Sequence, residues 1–369
     1  MGVFRLILAL AVVLGHTAYE GPRLMSPGDA VHIFFVISGF YMCMVIRRKY
    51  GCSTRGMGVF YLNRFLRLYP TFLFAVIGSM AWYFFCRWST GGTGKPAAIM
   101  ELAGWLPSWG WWALWVPNFT LVGVDLPAWF NVWADGGVAL AGSADAPVKG
   151  DGAYWLGYGL WVGPSWTIGC EIWFYAMAPL VLARGPWLRI VGAGAVSAAL
   201  YLLVSRYFLY GGYFIWVFWF WLFALGMVGF LVYEKVEGRV GEFFKKNPFS
   251  GWVFAGLCWA AFTVPYLLGW KIPSWVVITA AVPLVPLLFH ITKSNRADRI
   301  LGEFSYPVYC THMLAAEINQ TLIGLLKMDW GLLIWMNVGT TLAASAVCVF
   351  LIEQPLERMR SRIAAGAKG

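Results

Sequence analysis

The chain has 369 residues, of which 60% are hydrophobic and only 12% are charged. This composition excludes an ordinary soluble domain, whose surface needs many more polar residues, and it indicates one membrane-embedded domain over residues 1–369. The formal net charge of +10 would suit a nucleic-acid partner. Because the basic residues concentrate in loops on one predicted side of a bilayer, we instead predict membrane lipids as partners and no nucleic acid.

Ten segments stay apolar over about the 20 residues that a helix needs to cross the hydrocarbon core. The sequence therefore predicts an all-α polytopic membrane protein with about ten transmembrane helices. An alternative, a cleaved signal peptide at the N-terminus, is disfavoured by the polar Arg5 and His16 and by the spans that follow. The predicted spans are 3–20, 30–47, 66–87, 166–183, 190–208, 213–233, 250–269, 274–291, 303–326 and 331–352.

The distribution of basic residues predicts the orientation of these spans. With the N-terminus inside, twenty of the 27 lysine and arginine residues fall on the cytoplasmic side. This is the bias expected from the positive-inside rule, so both termini are predicted to be cytoplasmic. The seven cysteines are scattered, mostly through apolar runs, and no two have metal-ligand spacing. We therefore predict neither a disulfide framework nor a metal site.

The tryptophan-rich stretch at about 88–165 does not fit the simple series of spans. Part of it, about 100–124, is apolar enough to enter the bilayer, but a full crossing would reverse the charge bias of every later loop. We predict that the stretch lies on the outer side or re-enters from it. Its indoles suit a membrane interface, and the alternative is stacking against sugar rings.

Two ionisable residues within predicted spans are candidates for catalysis, because such residues are costly in lipid and usually face a protein-lined cavity. His16 follows Arg5 by nearly three helical turns, so both side chains share one face of the first helix. Glu171 lies at a depth similar to that of His16, measured from the outer side. An imidazole beside a carboxylate is a common general base for a hydroxyl, whereas the structural alternative is an interhelical hydrogen bond.

Further polar residues are predicted to line the same cavity. Arg64 and Arg67 share a helix face, and paired guanidiniums suit phosphate groups, although boundary arginines are also ordinary topological anchors. His312 follows Ser305, Tyr306 and Tyr309 on roughly one face of the ninth span. A phosphate-binding loop followed by Lys-Ser/Thr is missing from the sequence, which argues against a nucleotide-driven pump.

Five stretches resemble, in order, the motifs of membrane acyltransferase family three, which contains many bacterial polysaccharide O-acetyltransferases. They extend from residue 5 to residue 355. Two positions depart from the usual pattern, since His32 stands where many members carry an acidic residue and Thr167 replaces the commoner serine. The stretches are Arg5 with ten residues before His16, the run 34–40, the run 63–70, Trp166–Thr167–Ile168 with Glu171 and Phe174–Tyr175, and Ser305–Tyr309 with His312 before Glu353–Gln354–Pro355.

The resemblance implies an O-acyltransferase of the bacterial inner membrane that moves an acyl group from cytosolic acyl-CoA to a hydroxyl of a glycan or lipid-linked sugar. Acetyl-CoA is the expected co-substrate, and no bound cofactor is expected. His16 would be the general base, oriented by Glu171. The oligomeric state stays open. The residues expected to hold the donor are Arg5, Arg64 and Arg67, and those expected to line or support the cavity are Ser38, Tyr69, Trp166, Tyr175, Tyr309 and His312.

A transporter is the alternative from another functional class. In it, His16, Glu171 and His312 would form a proton relay, and the tryptophan-rich stretch would act as a gate. Transporters often show paired halves with interrupted helices at matching positions, and the sequence has no such symmetry. The clustered arginines also favour a phosphate-bearing ligand, so we predict the enzyme.

Overall fold

Among the residues that it describes, the computed structural model contains helices at all ten predicted positions and three further ones. It describes residues 1–17, 24–90, 104, 106, 108–133, 135–140, 153–182, 186–207, 214–247, 249–270 and 272–366. The helices are α1 (Gly2–His16), α2 (Pro27–Val45), α3 (Thr54–Thr90), α4 (Ser108–Thr120), α5 (Trp166–Leu182), α6 (Pro186–Tyr207), α7 (Phe220–Lys246), α8 (Ser250–Leu267), α9 (Ser274–Thr292), α10 (Arg296–Glu303), α11 (Ser305–Leu326), α12 (Leu333–Cys348) and α13 (Gln354–Gly366).

Six of the helical segments are long and apolar enough to cross a bilayer. They include α2, α3, α6, α8, α9 and the segment built around α12. By length and composition, α1, α5, α7 and α11 are not in this group, and α1 is an apolar helix of only 15 residues. The chain is a membrane protein, while the number of spans and the orientation of the termini stay predictions.

Two glycines allow α2 and α7 to pack with their backbones in contact. A Cβ atom on Gly39 would lie 2.0 Å from the carbonyl oxygen of Phe223, and one on Gly226 would lie 2.0 Å from that of Val36. Both distances are far below van der Waals contact. Small residues at such crossings allow helices to approach closely in membranes. This packing fixes α2, which carries Ser38 one residue from the crossing.

The expectation of an all-α protein needs one correction in the tryptophan-rich stretch. Residues Phe130–Trp133 (β1), Val138–Leu140 (β2) and Ala153–Trp155 (β3) form an antiparallel sheet in the order β2-β1-β3. Indole N–H groups attach the sheet region to its surroundings, since Trp129 donates to the carbonyl of Phe214 at 3.0 Å. Residues 91–103, 105, 107, 134 and 141–152 of this stretch lie outside the described residues, and its position relative to the bilayer stays a prediction.

A tight turn after α4 brings a carboxylate against α5. Leu121 and Gly123 have positive φ angles of 66° and 72°. Beyond this turn, Asp125 is fully buried and accepts a hydrogen bond from the indole of Trp173 at 3.2 Å. The approach requires a glycine on α5, because a Cβ atom on Gly169 would lie 2.6 Å from the Asp125 carboxylate.

Asp298 of α10 anchors the first turn of α1. Its carboxylate accepts the backbone N–H of Gly2 at 2.7 Å and that of Val3 at 3.0 Å. A carboxylate at a helix N-terminus satisfies donors that have no partner within the helix and interacts favourably with the helix dipole. The contact fixes the depth of α1 and therefore the position of Arg5, one turn further along.

Candidate functional site

A cavity of about 770 Å³ opens between helices that are distant in sequence. Its walls come from α1, α2, α3, α5, α9, α10, α11 and α13. The charged residues that line it are mostly basic, and they lie towards the end of the protein that is predicted to face the cytosol. The basic residues in the lining are Arg5, Arg64, Arg67, Lys293, Arg299 and Arg360, and the acidic ones are Glu171, Asp298, Glu303 and Glu357.

Half of these basic side chains are already paired with a protein carboxylate. Arg67 forms a buried ion pair with Glu353, whose other carboxylate oxygen accepts the hydroxyl of Thr71 at 2.7 Å. Arg360 pairs with Glu357. Lys293 pairs at 3.0 Å with Glu237, which lies outside the cavity lining.

Arg5, Arg64 and Arg299 have no ion pair in the part of the chain that the structure describes. The Nε atom of Arg64 is buried without a hydrogen-bond partner, and its guanidinium lies 5.9 Å from the ring centroid of Phe60. Unpaired guanidiniums in a partly enclosed cavity attract anions and offer planar, forked donors to phosphate oxygens. The cavity is therefore suited to a phosphate-bearing ligand.

The carboxylate of Glu171 is held by two hydroxyl groups on the cavity wall. The hydroxyl of Ser38, on α2, donates to Oε1 at 2.7 Å, and that of Tyr175, one turn along α5, donates to the same oxygen. The predicted pairing would require Glu171 and His16 to be in contact. In the described part of the chain, the structure does not bring them into contact. Glu171 instead belongs to the same cavity as Arg5.

His16 lies at the last turn of α1, and its side chain is exposed. Its Nδ1 atom is 2.9 Å from the carbonyl oxygen of Val12. A carbonyl can only accept, so this bond places the hydrogen on Nδ1 and leaves Nε2 as the basic nitrogen of the neutral ring. The tautomer is thus set by the backbone of α1 rather than by a carboxylate.

A second histidine faces His16 across the interface of α1 and α11. The His16 and His312 ring centroids are 5.2 Å apart, and the rings are inclined at 54°. His312 is buried, and its Nδ1 lies 2.8 Å from the carbonyl oxygen of Tyr309, which fixes the same tautomer by the same reasoning. Neither histidine lines the large cavity.

The predicted site residues thus fall into two groups. Ser38, Tyr175 and Tyr309 line the cavity with Glu171 and the three predicted donor-binding arginines, whereas Tyr69, Trp166 and His312 lie outside its lining. Tyr69 stacks on Phe65 with ring centroids 4.7 Å apart. Trp166 is buried with an edge contact of 5.2 Å to Phe214. The functional roles of all these residues stay predictions.

Several residues in or beside the cavity were given no role by the sequence reasoning. Glu353 is buried and holds both Arg67 and Thr71, although in the sequence it stood out only through the Glu353–Gln354–Pro355 stretch at the end of an apolar run. Its position there was the available signal, because a lone carboxylate at the end of a span tends to have a buried partner. Arg299 and Arg360 gave no such signal, since they look like ordinary basic residues of predicted cytoplasmic segments.

One comparison with known proteins gives a match. A family model described as an acyltransferase domain, that of acyltransferase family 3, matches residues 1–353. No curated protein and no solved structure matches the chain. The match covers almost all of the chain, including every residue of the cavity lining except Glu357, Arg360 and Ser361. It favours the enzyme over the transporter.

Proposed function

Because the chain belongs to acyltransferase family 3 and is a membrane acyltransferase, we propose that it moves an acyl group from acyl-CoA to a hydroxyl of a glycan or lipid-linked sugar. We further propose acetyl-CoA as the donor, binding from the cytosol, and the bacterial inner membrane as the location. The observation that carries this proposal is the cavity with its three arginines that form no ion pair with any residue the structure describes.

The donor side of the proposal rests on the charges of that cavity. The phosphates of CoA are multiply charged, and Arg5, Arg64 and Arg299 supply positive charge that is not held in an ion pair within the described residues. The same guanidiniums offer several donors in a fixed geometry, which positions a phosphate as well as attracting it. We propose that the pantetheine arm then extends along the cavity towards Thr167 and Tyr309.

The acceptor side rests on His16. Its exposed imidazole has a basic Nε2, as a general base requires. In the proposed reaction, Nε2 takes the hydroxyl proton as the acceptor oxygen bonds to the thioester carbonyl carbon. The C–S bond breaks, and the proton passes to the leaving CoA thiolate. Direct transfer and a transient acyl-histidine both remain compatible with this arrangement.

The role proposed here for Glu171 differs from the one predicted from the sequence, which was to orient His16. Its partners are Ser38 and Tyr175, so it fixes two hydroxyl groups on the wall of the donor cavity. We propose that it positions these groups beside the donor and balances the charge of Arg5, while the backbone carbonyl of Val12 orients His16. Positioning of this kind contributes to catalysis by holding reactants in a productive geometry.

Two measurements test the proposed function. Surface glycans from cells with and without the gene are compared by mass spectrometry, and an acyl mass difference is expected only with the gene. The His16→Ala variant is expected to lose roughly 10²–10⁴-fold of the transfer rate, the usual contribution of a general base. His290→Ala, which removes an imidazole bonded to Tyr233 instead, is the matched control. Normal glycan acylation by a well-expressed His16→Ala protein would contradict the assignment.

A further inference from the structure

A series of ring contacts leads from the wall of the large cavity to His16. Tyr309 lines the cavity and lies three residues before His312 on α11. Its ring centroid is 5.9 Å from that of His312, which in turn is 5.2 Å from that of His16. Since neither histidine lines the cavity, a donor in the cavity meets Tyr309 before it meets His16.

The hydroxyl of Tyr309 is held in place by a small network. It lies 2.7 Å from the hydroxyl of Thr167 and 3.3 Å from the carbonyl oxygen of Pro164. Thr167 donates its own hydrogen to the Pro164 carbonyl at 3.0 Å, so it accepts the hydrogen of Tyr309. All three groups are buried. The network fixes the ring where the cavity wall adjoins His312.

This network also connects Tyr309 to the end of the tryptophan-rich stretch. Pro164 lies in the single turn Gly163–Ser165 that joins this stretch to α5. Just before this turn, the backbone N–H of Trp161 donates to the side chain of Asn118 on α4 at 3.0 Å. A displacement of the described segment 161–165 would therefore move the Pro164 carbonyl and weaken its hydrogen bonds with Thr167 and Tyr309.

We propose that Tyr309 and Thr167 form a gate between the donor thioester and His16, closed in this structure and opened by a displacement of the turn that carries Pro164. The proposal rests on the proposed function, since it takes acyl-CoA as the occupant of the cavity. A closed gate keeps the thioester away from water on the His16 side. Without it, water adds to the thioester carbonyl, the C–S bond breaks, and a free acid and CoA thiol are released without transfer.

Removing the hydrogen bonds of the gate is expected to increase the hydrolysis of acetyl-CoA without acyl transfer. Purified protein is given acetyl-CoA without acceptor, and the release of free CoA thiol is measured. Tyr309→Phe and Thr167→Val each remove the hydroxyl contact while keeping the shape of the side chain. Loss of one or two hydrogen bonds is expected to raise the hydrolysis rate roughly 5- to 30-fold. A variant that was merely misfolded would lose CoA binding and would not gain this activity.

Two control variants accompany the test. Thr167→Ser keeps the hydroxyl that accepts from Tyr309, so it is expected to hydrolyse acetyl-CoA more slowly than Thr167→Val. Thr311→Val removes a buried hydroxyl of α11 that bonds only to other α11 and α12 groups, Pro307 at 2.8 Å and Ser345 at 3.5 Å. It is expected to leave hydrolysis unchanged. A rise in this control equal to that of the gate variants would overturn the proposal, because any loss of packing on α11 would then suffice.

The outcomes separate this proposal from the proposed function. If Tyr309→Phe and Thr167→Val bind CoA normally but hydrolyse acetyl-CoA no faster than the wild type, the gate is wrong and the donor assignment stands. If the wild-type protein itself does not bind CoA, the proposed function is wrong. The gate proposal is then wrong as well, because it takes acyl-CoA as the occupant of the cavity. The two failures are distinguishable because the CoA-binding measurement on the wild type precedes the comparison of the variants.

Discussion

Arg64 and Arg67 are separated by one helical turn, yet their surroundings differ. Arg67 is committed to Glu353, which also holds Thr71, whereas Arg64 has no carboxylate partner in the described structure. An ion pair removed from water is costly to break, because the remaining charge is left buried. The two side chains should therefore respond differently to the same substitution.

We predict that Arg64→Lys weakens CoA binding without loss of stability, whereas Arg67→Lys weakens CoA binding and also lowers the melting temperature. Lysine keeps the charge but loses the forked donor geometry. Loss of one charge-assisted hydrogen bond, about 1.5–3 kcal/mol, corresponds to roughly a 10- to 100-fold loss of affinity. Calorimetric titration with CoA and thermal unfolding measure the two effects. Arg239→Lys, on an exposed part of α7, is the control. Unchanged CoA affinity in both variants would leave the arginines as topological anchors.

At the scale of elements, the crossing of α2 and α7 depends on its glycines. We predict that Gly39→Ala destabilises the protein by about 1–3 kcal/mol, the usual effect of forcing an extra methyl into a packed contact. The methyl would meet the Phe223 carbonyl, which belongs to the backbone and has little room to move. Thermal unfolding in detergent measures the change. Gly192→Ala on α6, where nothing lies within 4 Å, should leave the melting temperature unchanged or raise it slightly.

The contact of the tryptophan-rich stretch with α5 should depend on pH through Asp125. Burial raises the pKa of this carboxyl from 3.8 to about 6. A raised carboxyl pKa means that the folded state holds the proton more tightly than the unfolded state. The contribution of Asp125 to the free energy of unfolding is therefore fully present below about pH 4. It is lost as the pH rises through about 6, by up to roughly 3 kcal/mol.

We accordingly predict that Asp125→Asn raises the melting temperature at pH 7.5 and that this advantage disappears near pH 4. Asparagine keeps the oxygen that accepts from Trp173 and removes the charge. Thermal unfolding across this pH range tests the prediction. Asp135→Asn, at an exposed position, should show no such dependence. An equal effect of both substitutions would mean that overall charge, rather than burial of Asp125, is responsible.

The sequence predicted the helices well but their mutual contacts poorly, for a physical reason. Hydropathy locates an apolar helix such as α9 directly, because the bilayer requires such a run. Contacts between helices depend on rotation and depth, so the similar depths of His16 and Glu171 did not establish a contact. The sheet was missed because its strands are only three or four residues long and lie among glycines and tryptophans. Only the fold brings β1 and β3 together.

For the whole molecule, the orientation in the bilayer decides which side supplies the donor. Single cysteines at Ser143, Ser294 and Ser361, in a protein without the seven native cysteines, are exposed to an impermeant thiol reagent on intact cells. We expect labelling only at position 143, which lies outside the described residues. The expectation follows from the positive-inside rule, because the segments around 294 and 361 are rich in arginine. Labelling at either of these two positions would reverse the predicted side of the donor cavity.

The shortness of α1 has a consequence for the surrounding lipid. Its 15 residues extend only about 22 Å, less than the ~30 Å hydrocarbon core of a typical bilayer. The Asp298 contact fixes one end of this helix, so for α1 as a predicted span the deficit falls at the end that carries His16. Such hydrophobic mismatch thins the bilayer locally or allows water to reach the His16 end of the helix. Transfer by the reconstituted protein should therefore slow as the lipid tails are lengthened, because a thicker bilayer buries the imidazole below the reach of a polar sugar.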